Sequence, residues 1–316
     1  MKIRVLGSAA GGGFPQWNCN CRNCAGLRSG TLRARARTQS SIAVRADHTQ
    51  DHPADGEDAA SWILVNASPD ILAQLRAHRD FQPARAPRDT AIAAIVLVDG
   101  QVDHTTGLYM LRESPRPWAL WCTDAVYADL TRGNPIIEVL SHYCRIERRR
   151  MSLDGAGFSV DGAPSLHWHA LPVAGKPAPY SPNRGSPVAG DNVALLIADG
   201  GSGKTLFYAP GLADIGEATW QAMRSAACVL VDGTFWSDDE MLRLGLSHKR
   251  AHDIGHLAQS GPGGMLEWLG RLPAGTRKVL IHINNTNPIL DEDSAERAEL
   301  GRRGIEVAWD GMEIDL

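Results

Sequence analysis

The chain has 316 residues, 43% of them hydrophobic and 22% charged, with a formal net charge of −4. This composition excludes a disordered chain, and the acidic balance argues against an electrostatic nucleic-acid binder. No run approaches the ~18 apolar residues a membrane helix needs, and the apolar start of "MKIRVLGSAA" is too short for a signal peptide.

In chain order, strands are expected at 2–6, 41–45, 61–66, 91–98, 118–122, 193–198, 205–209, 228–232, 278–283 and 304–308. Several are near-continuous apolar runs, the pattern of strands covered on both faces. Helices are expected at 69–78, 104–112, 123–132, 214–226, 249–259, 263–270 and 291–303. The first opens on Pro69, where a missing N–H costs little. The polar, acidic segment at about 47–60 reads as an insertion between two strands, and its two histidines as chance. The Pro- and Gly-rich segment 172–191 is long for a connection and reads as a functional loop or lid. No repeat of fixed period is present. The whole chain, 1–316, reads as one domain of alternating strands and helices.

The stretch "GFPQWNCNCRNCAG" (13–26) crowds Cys19, Cys21 and Cys24 together. Three is an odd number for disulfides, and C-x-C is too tight to bridge easily. A metal is the better reading, with a fourth ligand from a distant part of the chain. Cys122 and Cys228 lie in apolar runs and read as buried thiols, which places the chain in a reducing, cytoplasmic compartment. The arginine-rich run 28–37 reads as a local, solvated patch. "DGGSGKT" (199–205) lacks the first glycine of a phosphate-binding loop and is followed by a strand, so it reads as a hairpin turn. "GSAAGGG" (7–13) runs into Phe14-Pro15 rather than a helix and is weaker still.

Strand ends carry the chemistry in α/β proteins. Strand 91–98 leads to Asp103 and His104, strand 228–232 ends in Asp232, and strand 278–283 carries His282. Taken alone, Asp103 reads as a helix cap and His282 as a core histidine. Together, two imidazoles and one carboxylate on one side of a metal leave positions open, as in non-haem Fe(II) oxygenases. The same set can hold Zn²⁺ and activate water. Spacing does not choose between them.

"DHTTGL" after an apolar strand resembles the metallo-β-lactamase superfamily, whose usual motif is H-x-H-x-D-H. "GSAAGGGFPQWNCNCRNC", "NASPDI", "LPVAGKPAPYSP", "GDNVAL", "DGTFWSDDEM", "GHLAQSGPGGM" and "HINNTNPIL" resemble one branch of it, the PqqB family of pyrroloquinoline quinone (PQQ) biosynthesis, in order along nearly the whole chain. The resemblance implies an αββα sandwich of two mixed sheets flanked by helices. Against the superfamily pattern, Asp99 and Gln101 replace the two leading histidines. Asn66 stands near the early aspartate, and Gly211 near the bridging carboxylate. A third histidine is expected around 169–175, where only His167 and His169 lie near. The two-zinc site is therefore dismantled, leaving Asp103, His104 and His282 as ligands of one active-site Fe²⁺.

The resemblance implies iron- and O₂-dependent hydroxylation of a tyrosine-derived ring, in a Glu–Tyr precursor cut from a ribosomal peptide. Asp232 and His256 are candidates for orienting a ligand or relaying protons, His256 lying where a phosphodiesterase relative carries its proton donor. His248 and His252 share its spacing on the expected helix and read as a surface stripe. Lys176, Tyr180 and Arg184 are candidates for binding substrate carboxylates. Cys19, Cys21 and Cys24 resemble the structural Zn²⁺ site of related phosphodiesterases, whose fourth ligand, a histidine, falls on Asn285. That ligand is then the Asn285 amide, another side chain or a water. A hydrolase of ancestral chemistry and a PQQ carrier are the competing readings. The expected partners are the small or peptidic precursor and O₂, with no nucleic acid and no membrane. The nine tryptophans leave room for an apolar interface in a homodimer.

Overall fold

Burial on the strands sets the architecture. Ile63 and Val65 face one core and Trp62 and Leu64 another, and Leu230 and Val231 divide in the same way. A strand buried on both faces belongs to a sheet covered on both sides. The computed structural model describes residues 1–46 and 62–316, so the insertion expected at 47–60 lies outside the described residues.

Two sheets of seven strands are formed. The first contains β1 (Lys2–Gly7), β2 (Ser41–Arg45), β3 (Trp62–Val65), β4 (Ile92–Val96), β5 (Trp118–Cys122) and β6 (Ile146–Arg150). The second contains β7 (Phe158–Ser159), β8 (Leu166–Pro172), β9 (Val193–Asp199), β10 (Thr205–Ala209), β11 (Cys228–Asp232), β12 (Arg277–Ile281) and β13 (Ile305–Val307). β14 (Glu313–Asp315) returns to the edge of the first, beside β1. Each sheet is mixed: β3 to β6 run parallel, as do β10 to β13, and the remaining neighbours are antiparallel.

The sheets bury Ile3, Val44, Val96, Trp168, Leu195, Tyr208 and Ile281 between them. Truncating Trp168, fully buried there, is expected to cost roughly 3–5 kcal/mol. The outer face of the first sheet is covered by helices that include Ile71–Ala77, Gly107–Met110, Asp124–Ala128 and Ile136–Leu140. The second is covered by Glu217–Ser225, Met265–Gly270 and Ala295–Arg302. The result is an αββα sandwich. No helix among the described residues is long and apolar enough to cross a membrane.

The ten expected strands all form, and 199–205 is the turn of the antiparallel β9–β10 hairpin. The strands missing from the sequence reading are mostly sheet edges. β6 (IERRR) and β14 (Glu313–Asp315) carry charge there, where apolar alternation is not required. The helix expected at 249–259 does not form. Only a short 3₁₀ turn, His252–Ile254, occurs, and it stops at Gly255 with φ of 95°. Side chains compete for the backbone in this segment: Asp253 accepts from the Arg250 amide at 2.9 Å, and Asp238 from the His252 amide at 3.1 Å. The expected helix 104–112 is two pieces, Val102–Thr105 and Gly107–Met110. Gly107 presses onto the backbone of Ser68, with room for no Cβ.

Candidate metal centres

The loops after β4, β11 and β12 meet at one end of the sandwich, because parallel neighbours present their carboxyl ends together. There they enclose a cavity of about 210 Å³ lined by Asp99, Asp103, His104, Lys176, Thr234, His256 and His282 among others. Asp103, His104 and His282 offer ligand atoms that all lie within 4.8 Å of one another.

Each donor is held from behind. His104 places Nδ1 2.8 and 2.9 Å from the two carboxylate oxygens of Asp99, which fixes Nδ1 as the protonated nitrogen. Its Nε2 is buried and has no hydrogen-bond partner. β12 ends at Ile281, two residues short of the expected strand, and His282 turns left-handed with φ of 61°. That conformation is uncommon for a residue with a Cβ and marks a constrained site. It brings Nε2 to 3.2 Å from Asp103 Oδ2, while Nδ1 lies 2.9 Å from the Thr234 hydroxyl. Gly11, from the glycine run after β1, lies against Asp103, where a Cβ would stand 3.3 Å from Oδ2.

The charges reinforce one another. Burial pushes the Asp103 carboxyl up, but His104 and His282 outweigh it and hold it well below the usual range. Burial likewise opposes protonation of His104, yet Asp99 and Asp103 raise it to about 9. A buried nitrogen with no partner beside a carboxylate pair is a site where a cation can stand in for the proton. One carboxylate and two imidazoles suit Fe²⁺ or Zn²⁺, so the donor set fits either ion.

A second triple lies alongside: Asp232, His256 and His282. Asp232 is fully buried and accepts from the amides of Leu212 at 3.0 Å and Thr234 at 2.9 Å. His256 Nδ1 is 2.7 Å from Asp232 Oδ2, the oxygen that also accepts from Leu212. Burial lowers the His256 affinity for a proton, and the Asp232 carboxylate more than restores it, leaving the pKa raised. The Thr234 hydroxyl lies 2.6 Å from Asp232, 2.9 Å from His282 Nδ1 and 3.1 Å from His256 Nδ1. These atoms hydrogen-bond to one another through Thr234, as Asp103 and His282 contact each other in the first triple.

The cysteine loop packs against the other side of the segment that carries His282. Asn285 Nδ2 lies 3.0, 3.6 and 3.3 Å from the sulfurs of Cys19, Cys21 and Cys24. Backbone N–H groups of Cys21 and Gln16 donate to Cys19 and Cys24, each at 3.4 Å. Burial raises Cys19, but the surrounding hydrogen bonds outweigh it and lower its pKa. Burial lifts Cys21 to about 11. Three sulfurs gathered this closely, with amides donating to them, fit a thiophilic cation. Amide nitrogen and oxygen exchange on a flip, so the same Asn285 rotamer can present its oxygen to a metal. Asn23 ties the two segments together, donating to the carbonyls of Asn285 at 3.1 Å and Asn287 at 2.9 Å.

Not every candidate residue reaches the cavity. Lys176 lines it. Tyr180 does not: its hydroxyl donates to the carbonyl of Gly100. Arg184 donates to the carbonyl of Pro177 and is exposed. Both brace the proline-rich loop instead of facing the site. His248 and His252 are exposed and away from it, His252 being held by Asp238 at 2.8 Å. Asp99 and Thr234 are the residues whose roles the sequence reading missed. The signal was present for both, an acid at a vacated histidine position and a hydroxyl two residues after a strand-end aspartate.

Two mixed sheets in an αββα sandwich, with histidine and aspartate donors converging at strand ends, define a protein of the metallo-β-lactamase fold. Residues 61–283 match the Beta-lactamase superfamily domain. The chain is 61% identical to coenzyme PQQ synthesis protein B of Azoarcus sp. (strain BH72) over 316 residues, covering all of both chains. It is 57% identical to that of Pseudomonas aeruginosa (strain UCBPP-PA14) over 317 aligned residues, again covering both. The crystal structure of Zn²⁺-bound PqqB from Methylobacterium extorquens is 35% identical, with a TM-score of 0.86 over the full length of each chain. The chain belongs to the coenzyme PQQ synthesis protein B family.

Proposed function

We propose that this chain acts in the biosynthesis of PQQ as an iron-dependent oxygenase that hydroxylates the tyrosine-derived ring of a Glu–Tyr precursor. One observation carries this reading. A three-donor set of Asp103, His104 and His282 opens onto a cavity, and the residues beside it are committed to a hydrogen-bonded network. Asp103, His104 and His282 would hold Fe²⁺, which would supply the electrons that O₂ activation needs.

The chain's own residues do the rest. Asp99 holds the His104 tautomer that leaves Nε2 free, and Thr234 aims His282. His256, with Nδ1 against Asp232, holds a proton at Nε2 that it exchanges with the phenolic oxygen of the ring. Lys176 supplies a cation at the cavity wall for a substrate carboxylate. Cys19, Cys21 and Cys24, with the Asn285 amide oxygen after a flip, would hold a structural Zn²⁺ and so pin the N-terminal loop beside the His282 segment.

The test is oxygen uptake by anaerobically iron-loaded protein given the tyrosine-type precursor. Stoichiometric O₂ consumption with a ring-hydroxylated product is expected, and its loss in Asp103→Ala. A metal-dependent hydrolase is the second reading, favoured by the zinc in the Methylobacterium extorquens relative. It predicts equal turnover without O₂. A carrier predicts PQQ binding that survives Asp103→Ala.

A further inference from the structure

The arginine run that reads as a solvated patch is exposed at Arg28, Arg33 and Arg35 but buried at Arg37. Arg33, Arg35 and Arg37 meet Arg297 and Trp309 around a cavity of about 290 Å³, with Glu292 as the carboxylate in its wall. None of these residues lines the metal cavity. Arg37 is only 4% exposed. Its Nη1 donates to the Ser8 hydroxyl at 3.0 Å and to the carbonyl of Ala308, and its buried Nε has no partner. Asp310, the carboxylate that acts most strongly on Arg37, is already engaged by the Ser8 hydroxyl at 2.8 Å and by the Thr38 amide and hydroxyl at 2.6 and 2.7 Å.

The walls carry unmatched positive charge. Glu292 sits 3.7 Å from Arg33 and 3.6 Å from Arg35, and Asp293 takes Arg33 at 2.7 Å. Arg297 donates to the Ile289 carbonyl at 3.1 Å, and among the described residues neither it nor Arg37 has an ion pair. Burial pulls Arg37 down to about 10, and burial lowers Arg297 as well. Burying a guanidinium without a carboxylate is costly unless an anion completes the site. Planar guanidinium forks match carboxylate and phosphate oxygens in pairs. Arg35 lies over the Trp309 ring, 5.5 Å from its centroid, which limits the freedom it loses on binding.

We propose that this cavity binds a compact oxyanion with two or more negative charges, a carboxylate or phosphate compound, at a site separate from the metal cavity. The proposal does not depend on the reaction assigned to that cavity, since binding is read without turnover.

The test is calorimetric titration of the as-purified protein with tricarballylate and with inorganic phosphate, at ionic strength held constant with chloride. One-site saturation tighter than ~1 mM by at least one probe is expected, and the probe that saturates names the oxyanion. Arg297→Gln and Arg35→Gln should each weaken binding tenfold or more, with an unchanged thermal midpoint in the absence of anion. They are preferred to changes at Arg37, whose buried bonds to Ser8 and Ala308 hold the fold. Lys176→Ala, in the metal cavity, should leave binding unchanged. Absence of saturation by either probe overturns the proposal. So does affinity within twofold of wild type in both arginine variants, or binding abolished by Lys176→Ala.

Discussion

The two candidate metal centres share one short segment and are opposites in design. His282 and Asn285 lie three residues apart, one facing the cavity and the other the cysteine loop. Around Asn285 the three sulfurs and the amide close on one another, and Cys24 is fully buried. Around His282 three donors lie on one side of open space. A closed sulfur-rich set holds a metal for stability, while an open set of nitrogen and oxygen leaves room for reactants. Placing both on one segment ties the position of His282 to the packing of the cysteine loop.

The sharpest break in that comparison is Asp103→Ala. It should remove the cavity metal and lower turnover by more than ~100-fold, while elemental analysis still finds the cysteine-bound metal. Cys24→Ser should do the reverse. Loss of the thiolate site is expected to cost about 3 kcal/mol, seen as a thermal midpoint lower by roughly 6–12 °C, with the cavity metal lost only as the fold loosens. Asp99→Asn keeps the shape but removes the charge behind His104. Metal affinity at the cavity should fall roughly 10–100-fold and that of the cysteine site stay level, by competition with a chelator.

The smallest effect is a pH dependence outside both centres. Asp129 is fully buried, and burial raises its carboxyl to about 6, opposed by Ser181 and aided by Asp191 and Asp99. A carboxyl with a raised folded pKa binds more protons folded than unfolded. Its contribution is therefore present below the unfolded value near 4 and lost as pH rises through 6. Asp129→Asn should remove that slope and gain about 1–2 kcal/mol over wild type at pH 7, read by denaturant unfolding across pH 4–7.

Much of the cavity was legible because its donors sit where one-dimensional signals are strongest. Asp103 and His104 are adjacent and follow an apolar strand, and His282 closes another. The three cysteines announce themselves by spacing, and the quoted motifs carried the family resemblance. What failed did so for local reasons. The spacing of His248, His252 and His256 imitates a helix, but Gly255 and the side chains of Asp238 and Asp253 claim the backbone there. Tyr180 and Arg184 have the chemistry of a carboxylate site, yet nearby carbonyls take their donors. Arg37 looks like its exposed neighbours in the run and differs only in being packed under Ala308 and Ser8.

Local pattern alone determined the apolar strands, their burial on both faces and the residue types able to bind metal, since these follow from side-chain period and donor chemistry. Tertiary structure decided which donors meet. It set Asp99 behind His104 and Thr234 between Asp232, His256 and His282. It also brought Asn285 to the cysteines and left the Arg37 and Arg297 guanidiniums around a cavity without carboxylate partners. Those contacts join residues far apart in the chain, and only the face-to-face packing of two sheets makes them neighbours.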